Sequence, residues 1–279
     1  MDLNSPESPK PEELYMEGTA QSLIDGLLHD NVIYVIGVGG CGCNTVEYIA
    51  DQKLKNVKTI AINTDERVLG DLNVDRQMLI GKELTDGKGA EGDPAIGKRA
   101  AEMNEEQILK TLDGADFVIV VAGLGGGTGS GASYVISDLA RRNGKMVISY
   151  AIMPFSVEKN RYKKAEIYRD KLSAVTEAMT VFENDKTLIH RNKSPEFGFE
   201  LAGKMLHEVV KNLRMDYITE FFKEVGLDAF DLSETLSDFE RELEESEKEA
   251  EKPPVLEALE YVENDQSNKT LDSYLETYS

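Results

Sequence analysis

The stretch Ala115–Gly144, ADFVIVVAGLGGGTGSGASYVISDLARRNG, carries three signals in one unit. FVIVVA is an apolar run without alternation, the pattern of a strand buried on both faces. GASYVISDLARRNG reads as a helix closed by Gly144. Between them lies a loop in which Gly125, Gly126, Gly127, Gly129 and Gly131 crowd around Thr128 and Ser130. Glycines let backbone N–H groups approach a polyphosphate without side-chain interference, and the two hydroxyls add donors. The loop feeds a helix N-terminus, whose dipole favours negative charge.

The same alternation extends in both directions. VIYVIG, KTIAINTD, RQMLIG, KMVISYAIM and MTVFEND read as further strands. Helices are expected over CNTVEYIADQ, from Pro94 to about Leu112, and from about Lys159. Strands apolar throughout and alternating with helices predict an α/β fold, a doubly wound and mostly parallel sheet. Ligands of such sheets bind outside the carboxyl ends of the strands, where the glycine loops fall. From about Phe199 an apolar stripe through Leu206, Val209, Val210 and Leu213 predicts a long helix lying along the sheet.

The first strand runs into GVGGCGCN, in which Gly37, Gly39 and Gly42 fit G-x-G-x-x-G, and Asp65 closes the second strand where a ribose-binding acid would sit. That pattern alone leaves a nicotinamide or flavin enzyme open beside another kind of phosphate loop. The second glycine loop turns the reading, because a dehydrogenase has no use for a second phosphate cradle. No G-K-[ST] follows a strand, so neither loop is a Walker A motif.

The chain has 279 residues and a formal net charge of −21. That charge excludes free nucleic acid as a partner, since phosphate contacts need Lys and Arg. More than half of the excess lies in residues 228–279, which hold 17 acidic and 4 basic side chains. No apolar run approaches the ~20 residues of a membrane span, and no secretion signal is evident, so direct membrane insertion is not expected and a cytoplasmic protein is. Cys41 and Cys43 are read as small residues packed in a tight turn, and His29, His190 and His207 form no ligand cluster. Residues 1–16 are expected to be disordered, 17–231 to form the nucleotide-binding domain, 232–252 a charged helix, and 253–279 an acidic flexible tail.

GGGTGSG resembles the signature of the tubulin/FtsZ superfamily, and its surroundings resemble FtsZ. The resemblance also covers Gly37–Asn44, Ile62–Asp65, Leu79–Pro94, Pro154-Phe155 with Glu158 and Arg161, and Asn184–Lys186, in order. It implies GTP or GDP lying across these loops, with Mg2+ on the phosphates. Gly39, Gly40, Cys41, Gly42, Cys43 and Asn44 would cradle phosphate together with Gly125, Gly126, Gly127, Thr128, Gly129 and Ser130. Asn63, Asp65, Ala90, Gly92 and Asp93 would flank the ligand, and Glu158 and Arg161 would reach the ribose and phosphates. The gap from Glu158 to Arg161 is one residue shorter than the family's. Asn184 would read the guanine edge, and Phe199 would stack on the base. Two other readings stay open: Phe199 as a core residue and Glu158 as a solvated helix acid.

Three departures from the family follow. Gly203 stands where the central helix usually carries an Asp or Asn that pairs with guanine. Gly226 stands where a neighbouring subunit's N-x-D-x-x-D loop has its Asn, although Asp228 and Asp231 keep the acids that would polarise the attacking water. Asp231 also fits a plain helix start. Finally, the family's second α/β domain has no counterpart in the acidic residues that follow, so the GTP-binding domain is expected to stand alone. The resemblance implies head-to-tail assembly with itself or another FtsZ-like subunit, in cell division, with a membrane-anchor or division protein gripped through LDSYLETYS. The alternative is a non-hydrolysing regulator or cap of a full-length filament.

Overall fold

The computed structural model describes residues 32–186 and 195–224. The N-terminal extension, Asp228 and Asp231, the expected charged helix and the expected acidic tail lie outside the described residues. Six strands form one sheet: β1 Ile33–Val38, β2 Val57–Asn63, β3 Arg76–Leu79, β4 Phe117–Gly123, β5 Met146–Met153 and β6 Ala178–Glu183. Their order is β3-β2-β1-β4-β5-β6, and every neighbouring pair is parallel. The order reverses between β1 and β4, and both glycine loops leave the sheet at that point, where doubly wound folds bind ligands.

Eight helices accompany the sheet among the described residues: α1 Gly39–Asp51, α2 Glu66–Gly70, α3 Lys82–Thr85, α4 Pro94–Met103, α5 Glu105–Thr111, α6 Thr128–Arg142, α7 Lys159–Ser173 and α8 Pro195–Glu224. Strand side chains alternate between two cores, as the period of two requires. Ile36, Ile60, Val118, Val120 and Ala151 pack under α4 to α7, against Ala101, Ile108, Ile136, Leu139, Ala165 and Leu172. On the other face Val35, Ile119, Val121, Ile152 and Phe182 pack under α1 and α8, against Val46, Ile49, Ala202, Leu206 and Val210. Tyr150 Oη, buried in β5, donates to the Ala202 carbonyl at 3.0 Å and pins α8 to the sheet.

Two element boundaries differ from the expected ones. The helix expected from Pro94 to Leu112 is two helices, broken at Asn104. Asn104 leaves helical dihedrals (φ −112°, ψ 19°), and its Oδ1 accepts from the Gly81 N–H at 2.7 Å. A long-range bond thus takes the place of helix continuity. The glycine turns also belong to the helices that follow them: α1 starts at Gly39 and α6 at Thr128. Tertiary contact overrides the weak helix propensity of glycine there.

Candidate nucleotide site

The helices α1 and α6 begin side by side. Gly39, at φ +74°, lies so close to α6 that an added Cβ would sit 2.7 Å from the Gly129 nitrogen. Neither helix start receives a side-chain cap: Val38 and Gly127 precede α1 and α6 without a capping hydrogen bond. The first amides of a helix have no carbonyl one turn behind them, so two adjacent sets of N–H groups and two dipole ends point out of the sheet's carboxyl edge. This is an anion-binding geometry.

The loop glycines divide into two groups. Most are required by packing. A Cβ on Gly42 would fall on the Val121 carbonyl oxygen, one on Gly129 on the Gly123 carbonyl oxygen, and one on Gly131 on the Pro94 carbonyl oxygen. One on Gly127 would stand 2.7 Å from Ala90 Cβ, and one on Gly125 2.6 Å from Arg161 Cγ. Gly40, Gly126 and Gly92 are different: a Cβ there would meet nothing within 4 Å. These three border open space.

Hydroxyl groups stiffen this edge from within. Thr64 and Thr128, both buried, share a hydrogen bond of 2.6 Å between their Oγ1 atoms. Ser130 Oγ accepts from the Gly125 N–H at 2.8 Å. Both hydroxyls expected as ligand donors thus also hold the loop, and Ser130, which accepts here, keeps its own O–H to donate. Thr64 gives no local sequence signal of this role, because its partner is 64 residues away.

The flanking loops close on the same place. Asn63 Oδ1 accepts from the Thr64 N–H at 2.8 Å and shapes the backbone leaving β2. Asp65 caps α2, accepts from the Arg67 N–H at 3.0 Å, and takes Arg67 Nε and Nη2 at 3.2 and 2.9 Å. The Arg67 hydrogen bond holds its carboxyl below the usual range. Backbone bonds Glu66 N to Gly87 O and Gly89 N to Thr64 O tie the turn before Ala90 to the end of β2. Asp93 caps α4, accepting from the Ala95 N–H at 2.8 Å, and Pro94 occupies the first turn.

Glu158 precedes α7 and uses both oxygens: Oε1 accepts from the Phe155 N–H at 3.1 Å and Oε2 from Arg161 Nη1 at 2.8 Å. It is a paired acid and not a freely solvated one. Arg161 lies over Gly125 and close enough to Cys41 to draw its thiol down, although burial dominates and raises that thiol to about 11. Cys43 is buried against Ala61 and Leu69, its Sγ reaching the Gly37 and Ile62 carbonyls at 3.5 and 3.6 Å, and burial pushes it up to about 12. Both cysteines are protonated packing residues at neutral pH. Lys164, which sequence reasoning missed, donates from Nζ to the Gly92 carbonyl at 2.8 Å and latches α7 onto the Ala90–Asp93 turn.

Of the residues expected around the base, Asn184 follows β6 directly. Asn44, expected with the phosphate loop, is exposed on α1. Phe199 is exposed on α8 and absent from the core. Gly203, one turn on, is pressed against α1: its Cβ would stand 2.5 Å from Tyr48 Cγ. The ring of Tyr48 occupies the space that a side chain at position 203 would need. Among the described residues, no group of three His, Cys, Asp or Glu side chains could hold a metal ion.

Sheet order, paired uncapped helix starts and interlocking glycine turns define a doubly wound domain built to receive a polyphosphate. The model of the tubulin/FtsZ family GTPase domain matches residues 32–190, and the chain belongs to that family. It is 39% identical over 238 residues to the cell division protein FtsZ 1 of Pyrococcus abyssi, covering 82% of this chain and 62% of that protein. It is 40% identical over 207 residues to FtsZ of Methanothermobacter thermautotrophicus, covering 74% of this chain and 53% of that protein. Among solved structures it resembles the empty FtsZ dimer of M. jannaschii, with a TM-score of 0.64 and 33% identity over 74% of this chain and 59% of that one. It also resembles the GTPγS-bound protofilament of CetZ2 from Haloferax volcanii, with a TM-score of 0.59 and 27% identity over 66% and 58%. The chain thus spans little more than half the length of these relatives.

Proposed function

We propose that this protein binds GTP at the joined starts of α1 and α6 and hydrolyses it in a head-to-tail assembly of a cytoplasmic division or related filament system. The observation that carries this reading is the pair of uncapped, glycine-entered helix starts, meeting where Gly40, Gly126 and Gly92 leave open space. The amides of α1 and α6 would hold the phosphates, and Arg161, poised over Gly125, would add a mobile positive charge. Asn184 and Phe199 would meet the base. Mg2+ would offset the phosphate charge and, since no group of three His, Cys, Asp or Glu among the described residues could hold it, would take most of its ligands from the nucleotide and water.

Asp228 and Asp231 of a neighbouring copy would orient the attacking water, so turnover would need two subunits. Phosphate release from GTP, measured across a range of protein concentrations, tests this: specific activity should rise with concentration. Asp231→Ala should abolish release while leaving nucleotide binding intact, and equal loss of both would refute its role. A second reading, a non-hydrolysing regulator or cap of a full-length filament, is favoured by Gly203, which would leave the base without the acid or amide that the resemblance leads one to expect there. Release that stays negligible at every concentration, with GTP bound, would select it.

A further inference from the structure

Helix α7 is basic in a strongly acidic chain. KNRYKKAEIYRDKLS contains six basic and two acidic side chains. Ala165 and Leu172 face the core, and Lys163, Ile167 and Lys171 follow one another at four-residue intervals along the outer face. Ile167 is 57% exposed between the two lysines. Beside it Lys171 Nζ lies 4.4 Å from the Tyr168 ring centroid and 5.7 Å from that of Tyr134, and the two rings are 6.1 Å apart. Among the described residues no ion pair joins Lys159, Lys163 or Lys171 to a carboxylate. The result is an unpartnered face of positive charge with apolar and aromatic surface in its middle.

The chain carries a segment of complementary chemistry. Residues 232–279 hold 15 acidic and 4 basic side chains, with Leu256, Leu259, Tyr261, Leu271, Tyr274, Leu275 and Tyr278 set among the acids. We infer that the outer face of α7, Lys159–Ile167–Lys171 with Tyr134 and Tyr168, is the intramolecular docking surface for the acidic segment 232–279. Reach permits it. Helices α7 and α8 cover opposite faces of the sheet, and the 55 residues after Glu224 could extend to ~180 Å, enough to pass round the sheet edge. Attraction between unlike charges at this surface is long-ranged at low salt and screened at high salt. The same helix begins at the nucleotide site, where Arg161 and Lys164 reach Gly125 and Gly92. A docked segment would therefore lie along the helix that also faces the phosphates.

Carbodiimide cross-linking of the full chain tests this, because the reagent joins a lysine amine to a carboxylate in direct contact. An equal mixture of 15N-labelled and unlabelled protein separates intramolecular from intermolecular products by mass. The expected result is intramolecular cross-links from Lys159, Lys163 and Lys171 to acids in 232–279, several-fold above those from the exposed Lys53, Lys58 and Lys110. They should be lost in about 1 M sodium chloride, where the screening length is ~3 Å. The double substitution Lys163→Glu and Lys171→Glu, on exposed positions, should leave the circular dichroism spectrum unchanged and remove the cross-links at Lys159. Products spread evenly over the surface lysines, or carrying the roughly one-half share of mixed labels that random joining between chains of an equal mixture gives, would overturn the assignment. So would α7 lysines that form no link to 232–279 yet mediate binding to anionic lipid vesicles.

Discussion

The four helices that start at the carboxyl edge of β1, β2 and β4 or in the turn beside it do so in two ways. Helices α2 and α4 are capped by their own carboxylates, Asp65 and Asp93, which accept from Arg67 and Ala95. Helices α1 and α6 start from Val38 and Gly127 with no side-chain cap. A missing cap ordinarily costs about 1 kcal/mol per helix. Here the two uncapped starts are adjacent, at the point where strand order reverses, while the capped ones flank them. Helices α3, α5 and α7 also start without a side-chain cap, so it is the adjacency of the α1 and α6 starts at the switch point that would leave two sets of amides for one external anion.

The sharpest way to break this comparison is to substitute glycines of the two groups. Gly129→Ala and Gly131→Ala place a methyl group on backbone carbonyl oxygens that cannot move aside, those of Gly123 and Pro94. Each should destabilise the fold by about 3 kcal/mol or more, read as a lowered urea midpoint. Gly126→Ala adds its methyl to open space. It should change stability by no more than about 0.5 kcal/mol and weaken GTP binding roughly tenfold or more by crowding the phosphates. If Gly126→Ala binds GTP like the parent, the open glycines are not the phosphate contacts.

At the base side the comparison is sharpened by Gly203. Restoring an acid with Gly203→Asp puts the new Cβ against Tyr48 Cβ and Cγ, the stem of that side chain and not its movable tip. The single substitution should cost about 2 kcal/mol of stability. Adding Tyr48→Ala should recover much of that loss and tighten discrimination of GTP over ATP, measured by competition. Equal stability of the single variant and the parent would mean that α8 is free to shift away from α1.

The sheet was legible because its strands are continuous apolar runs, and a strand buried on both faces permits little else. FVIVVA and VIYVIG become the two central strands, β4 and β1. The two glycine loops were legible as tight turns that feed helices for the same local reason. What was not legible is long-range. Nothing near Gly129 in the sequence tells that it abuts the Gly123 carbonyl while Gly126 faces open space. Nor could the Thr64–Thr128 bond, the Lys164 latch on Gly92, or the pairing of Tyr48 with Gly203 be read from spacing. The break at Asn104 escaped for a related reason, since PAIGKRAAEMNEEQILKTL has helical periodicity throughout and only the Gly81 contact interrupts it.

The capped helices offer the smallest effect, and it runs through pH. Arg67 lowers the Asp65 carboxyl below its ordinary value of 3.8 by hydrogen bonding. The folded state therefore binds that proton more weakly than the unfolded state does. Its contribution to stability is fully present above the ordinary carboxylate value and is lost as pH falls through the lowered one. Asp65→Asn keeps an oxygen to accept the Arg67 N–H but removes the charge. It should leave stability at neutral pH nearly unchanged, because Arg67 is well exposed and the pair is screened by water. Urea midpoints at pH 3 to 6 should then converge, parent and variant differing least at the acid end. No comparable carboxylate caps α1 or α6, so the starts of those two helices should show no such acid dependence of their own. Hydrogen exchange of the α1, α2 and α6 amides across that range checks it helix by helix: acid-labile protection confined to α2 is expected, and equal acid lability at α1 and α6 would erase the distinction between the two kinds of helix start.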